Sequence, residues 1–236
     1  MKPFTFSRRS FVAVTASAAA LSCPVEPAVA QAKPAPVAPN AAGTVPYHFD
    51  RAAFMAAIER PYPHRQLVAP ASWGAATIAI AHFKNSLAAY ADPNGFDGGP
   101  KSLHCAAVLY MGYSIHLALN DAMWAKYPIG LMSDEETRPT DLTYRAYWTA
   151  LKTNTMIDSM RPLMDQGLSL FVCNNALSGL SLTIAQRASS GTTVTRDQVV
   201  AVHDDLAANF VPNTILVPAG VAAVNAAQEA RFTFMP

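Results

Sequence analysis

The chain is poor in charge and in cysteine. Charged residues make up 14% of its 236 positions, 17 Lys and Arg against 16 Asp and Glu. Setting aside Lys2, Arg8, Arg9 and Glu26 at the front leaves 14 basic residues against 15 acidic ones. That balance supplies no basic footprint for nucleic acid or for an anionic membrane surface. There are three cysteines and no C-x-x-C, which excludes a thioredoxin-type motif and a zinc knuckle. Gly-x-Ser-x-Gly is absent, and so are the glycine-rich dinucleotide fingerprint and the P-loop. No internal repeat occurs. Beyond the first thirty residues no apolar run approaches the ~20 residues of a membrane span.

What is abundant is apolar: 51% of the residues are hydrophobic, enough for a large core or an oligomer interface. Part of this belongs to an address rather than to the fold. Ser7-Arg8-Arg9-Ser10-Phe11-Val12-Ala13 is a twin-arginine export motif. An apolar stretch over 12–21 follows, and Ala28-Val29-Ala30 is a small-residue cleavage site. Residues 1–30 are therefore expected to be a twin-arginine signal peptide and the mature protein to be periplasmic. Ala20-Leu21-Ser22 before Cys23 fits a lipoprotein box poorly. Residues 31–46 are rich in Ala and Pro and predict a disordered linker. Residues 47–236 then form one domain. Cleavage leaves Cys105 and Cys173, which an oxidising compartment would allow either to pair or to stay free.

Along the domain, helical and strand patterns alternate. Helical spacing covers 49–60, with Asp50 as N-cap, and 72–90. Short strands are predicted at 66–69, 103–110, 214–217 and 232–234. A helix is expected from the turn at Met111-Gly112-Tyr113-Ser114 to about 126, another over 141–164, and Thr195 to Gln198 forms a capping box opening a third. A further helix follows Pro218-Ala219-Gly220 and runs to about 230. The alternation predicts an α/β domain with a mainly parallel sheet of about five strands and helices on both faces.

One stretch organises the chain, GLSLFVCNNALSGLSL over 167–182. Its apolar run, 168–172, reads as a strand buried on both faces. Cys173 closes the run, and Asn174 or Asn175 offers a helix N-cap. Cys173 thus falls at the sheet edge where α/β folds bind ligands, and where a helix dipole favours a thiolate. The alternative is a buried, inert cysteine. The turns after the neighbouring strands, Tyr110, Met111 and Gly112, and Pro218, Ala219 and Gly220, would line the same crevice as a substrate-binding set. For Gly112 and Gly220 turn geometry is the plainer role. His104 and Cys105 are adjacent on a strand, so they face opposite ways and suit buried structural roles better than one metal. His116 and Asn120 are four apart on the expected helix and would share a face. With His82 and His203 they outline a conceivable haem or metal site. No spacing matches a catalytic zinc signature, and no cofactor or metal is expected.

Three stretches resemble the DsrE/DsrF-like family, the sulfur-relay fold. His82-Phe83-Lys84-Asn85-Ser86-Leu87-Ala88-Ala89-Tyr90 is similar to its first helix, and Phe171-Val172-Cys173-Asn174-Asn175-Ala176-Leu177 to its strand–Cys–helix junction. Val217-Pro218-Ala219-Gly220-Val221-Ala222-Ala223-Val224, followed by Gln228, is similar to its C-terminal signature. The resemblance implies a three-layer α/β sandwich, assembly into trimers or hexamers, and a persulfide on Cys173 exchanged with a sulfur donor or acceptor protein, with Asn174 and Asn175 beside the anion. The chain departs from that family in its export signal and in an inserted segment at about 124–158. The aromatic and methionine residues of that segment (Trp124, Tyr127, Met132, Tyr144, Tyr147, Trp148, Met156, Met160, Met164) suit core or subunit interface. Two functional readings follow: an exported sulfur carrier or sulfurtransferase-like relay protein working through Cys173, or a non-catalytic small-ligand-binding or assembly module on the same fold.

Overall fold

The computed structural model describes residues 36–38, 41–92, 94–96, 102–130, 151–189 and 192–235. They belong to the compact unit Lys33–Pro236; the unit Met1–Ala32, where the signal peptide is expected, lies outside the described residues. Among the described residues the elements in chain order are α1 (Arg51–Ile58), β1 (His64–Val68), α2 (Trp73–Ala91), β2 (Leu103–Leu109), a 3-10 helix (Gly112–Ala118), α3 (Asp121–Lys126), α4 (Ile157–Asp165), β3 (Ser169–Cys173), α5 (Asn174–Ala188), α6 (Arg196–Ala208), β4 (Thr214–Val217), α7 (Gly220–Glu229) and β5 (Thr233–Met235). Three helix starts carry the caps their sequences offer. Asp50 accepts from the Ala53 amide at 2.8 Å, Ser72 from that of Ala75 at 2.9 Å, and Thr195 with Gln198 closes the capping box.

The sheet has five strands in the order β4-β3-β2-β1-β5, every pair parallel. The central strands β2 and β3 are buried at every residue, which is why they read as nearly continuous apolar runs, interrupted by His104 and Ser169. From β1 to β4 the chain steps in one direction, so right-handed crossovers keep the intervening helices on one face. α7 carries β4 back to β5 at the far edge and therefore lies on the other face, with α1. Alternate strand residues divide accordingly. Cys105, Ala107, Leu109, Leu170 and Val172 join the core under α2, α4 and α5, whereas Leu67, Ala106, Val108, Phe171 and Val217 join that under α1 and α7. Among the described residues no helix is long and apolar enough to cross a membrane.

Three expectations are corrected. The single helix from 111 to 126 is two pieces: Leu119 is extended, bridges Phe210, and Asn120 caps α3 by accepting from the Met123 amide at 3.2 Å. The break is held by Asn154, whose buried amide donates to the carbonyls of Leu117 at 3.0 Å and Leu119 at 2.9 Å. His116 and Asn120 consequently share no helix face. Second, the helix expected over 141–164 is not continuous: residues 151–154 are not helical, Asn154 being engaged in that clasp, and α4 starts at Ile157; 131–150 lie outside the described residues. Trp124 and Met160 are fully buried in the core, with Tyr127, Met156 and Met164 packed against it; Met132, Tyr144, Tyr147 and Trp148 lie outside the described residues. Third, the described end of the Ala/Pro-rich stretch is a strap. Ala41 and Val45 are buried in a small core with Ala185, Val194 and Val199 of the α5–α6 region, and Val37 bridges Val194.

Candidate functional site

Cys173 ends β3, paired with Val217 of β4, and is itself the N-cap residue of α5. The helix starts one residue earlier than the asparagine caps would have it, so Asn174 and Asn175 are its first two residues. The thiol is free and only 5% exposed. Its surroundings include Tyr47, which follows the strap. The Tyr47 hydroxyl is buried without a partner, and burial, with a smaller contribution from negative charge on Cys173, raises its pKa to about 12.

Asn174 is committed elsewhere. It is 1% exposed, donates to the Val45 carbonyl at 2.8 Å, and presents its oxygen to His203 Nε2 at 2.8 Å. Ser178 accepts from the Val45 amide at 2.9 Å, so the strap is held at both backbone atoms of one residue. Asn175 is exposed and its oxygen accepts from Thr44 Oγ1 at 2.8 Å. Arg196, at the start of α6, clasps the strap from its other side, donating to Gly43 at 3.0 Å and Thr44 at 2.7 Å. Both asparagines that sequence reading placed beside a cysteine anion thus bind the strap. The missed signal was small: two apolar residues, Ala41 and Val45, one helical turn apart in a proline-rich run.

The six strand-end residues do not form one crevice. Tyr110 is half-buried, and Gly220 is pressed against it: a Cβ on Gly220 would lie 2.2 Å from that of Tyr110. Gly220 is therefore a close-approach glycine where α7 crosses β2. Met111 is 47% exposed, and Gly112 opens the 3-10 helix. Pro218 and Ala219 instead join a groove of about 640 Å³ on the α1/α7 face. Its walls are Phe54, Met55 and Ile58 from α1 and Ala222, Ala223 and Ala226 from α7, with Arg51, Glu59, Arg65, Glu229 and Arg231 also lining it. No sequence motif marked this groove, since its residues come from four separated elements.

The histidines are dispersed. His104 is fully buried between Tyr62 and Phe232, 3.1 Å from Ser169 Oγ. Burial first, then the charges of Arg60 and Arg65, lower its pKa to about 4. His116 is buried beside Trp124 and Tyr113, its pKa lowered by burial to about 3. His203 is bound to Asn174, and His82 is exposed. Cys105 is buried in the other core, its thiol pushed up by burial to about 12. Among the described residues no group of three or more His, Cys, Asp or Glu side chains is placed to hold a metal ion. Comparison with protein-family models, with curated proteins and with solved structures finds no match to this chain.

Proposed function

We propose that this protein is an exported, non-catalytic binding module whose α1/α7 groove holds a small ligand. The observation that carries the reading is the groove. Its ~640 Å³ lies within the roughly 300–1,000 Å³ of ligand pockets, and its apolar walls are edged by a few charged groups, the usual composition of such sites. Cys173, the free thiol among the described strand-end residues, is buried, and the asparagines beside it are spent on the strap. A neutral fluorescent probe of apolar sites, N-phenyl-1-naphthylamine, tests the reading. Saturable binding is expected, and Ala222→Trp and Ala226→Trp, which fill the groove from one wall, should abolish it. No saturable binding, or binding that survives both substitutions, refutes the reading.

The sulfur-relay reading retains one observation: Cys173 is a free thiol at the N-cap of a fifteen-residue helix. In that chemistry the thiolate attacks the sulfane sulfur of a donor, the donor's S–S bond breaks, and its thiolate leaves. The strap then has to move. Intact mass after incubation with polysulfide distinguishes the cases. A reducible gain of one sulfur on Cys173, absent in Cys173→Ala and faster in Arg196→Ala, supports a strap-gated carrier; no gain in either the native protein or Arg196→Ala removes it.

A further inference from the structure

Resting on the groove reading, we propose that the ligand is an elongated apolar molecule with one carboxylate, and that Arg65 receives the acid group. α1 and α7 both start at the sheet edge where β3 and β4 end, and run to the edge where β1 and β5 begin. At 1.5 Å per residue, their eight and ten residues make a trough roughly 12–15 Å long. Aromatic and branched side chains form one wall and alanines the other, so a long apolar body fits better than a compact polar one.

Charge separates the depth of the groove from its rim. Of its five charged lining residues, Arg51, Glu59, Glu229 and Arg231 are exposed; Arg65 alone is half-buried. The inner charge is therefore positive. Its guanidinium spans the far ends of the two helices, donating to the Ala230 carbonyl and, at 3.0 Å, to that of Arg60, and it lies over the Phe232 ring. Its Nε is buried without a partner. Neither Glu59 nor Glu229 pairs with it, and no carboxylate does so among the described residues. Carbonyl dipoles orient the guanidinium but leave its charge uncompensated, and a half-buried cation without a counter-ion is costly. A ligand carboxylate supplies the missing charge through a charge-assisted hydrogen bond.

The test compares decanoate with decanol by calorimetry, each below its aggregation concentration, on the mature protein, Arg65→Gln and Ala222→Trp. Decanoate should bind the native protein about tenfold or more tightly than decanol, the margin of a charge-assisted over a neutral hydrogen bond. Arg65→Gln should bring the two level, and Ala222→Trp should lose both. The native comparison stands even if Arg65→Gln does not fold. Equal affinity for the two, both lost in Ala222→Trp, overturns the acid assignment while the groove remains. A preference for decanoate unchanged in folded Arg65→Gln overturns the role of Arg65. No binding of decanoate, decanol or the neutral probe overturns the groove itself.

Discussion

Replacing Asn174 with alanine separates a structural asparagine from one that stabilises an anion at Cys173. The side chain is 1% exposed and bridges three parts of the chain: α5, the strap through the Val45 carbonyl at 2.8 Å, and α6 through His203 at 2.8 Å. Alanine leaves both partners unsatisfied in a buried position. Each such loss costs about 1–3 kcal/mol, and partial entry of water brings the pair to about 2–4 kcal/mol. In a domain of this size 1 kcal/mol corresponds to roughly 2–4 °C, so the melting temperature should fall by about 5–15 °C. Circular dichroism at the helix band follows the transition, and alkylation of Cys173 in the folded variant reports release of the strap. A melting temperature within about 2 °C of the native value, with Cys173 still protected, would refute the assignment of Asn174 to the strap.

Two further consequences follow from buried groups near the sheet. His104 has a folded pKa of about 4 against about 6.5 in the unfolded chain, so the unfolded state binds the extra proton; stability is full above pH ~6.5 and is lost as pH falls toward 4, by about 3 kcal/mol. Urea midpoints at several pH values should decline across that window, less so in His104→Gln; parallel profiles for the two proteins would contradict the assignment. Gly220→Ala places a Cβ 2.2 Å from that of Tyr110 and should cost about 1–3 kcal/mol despite the better helix propensity of alanine. A gain in thermal stability would show that α7 does not press on Tyr110.

The architecture was legible because its signals are local. Nearly continuous apolar runs at β2 and β3 announce strands covered on both faces. Asp50 and Thr195 announce helix starts through side chains that reach their own backbone three residues on. The placement of Cys173 at a strand end before a helix needed nothing more. Errors arose where a distant side chain overrode a local pattern. The periodicity from 111 to 126 is helical, yet Asn154, more than thirty residues away, takes the carbonyls of Leu117 and Leu119 and the helix divides. The Ala/Pro-rich stretch has no means of burying itself and reads as linker; its described end is ordered because Asn174, Ser178 and Arg196 supply the hydrogen bonds its backbone lacks. The sequence by itself thus determined the strand–helix alternation, the parallel sheet and the position of Cys173, all set by periodicity and capping within a few residues. Only the tertiary structure decided that Cys173 is buried where Asn174 and Asn175 bind a strap, and that Phe54, Arg65 and Ala222 face one groove. Those outcomes depend on which distant side chains meet, and spacing along the chain carries no record of that.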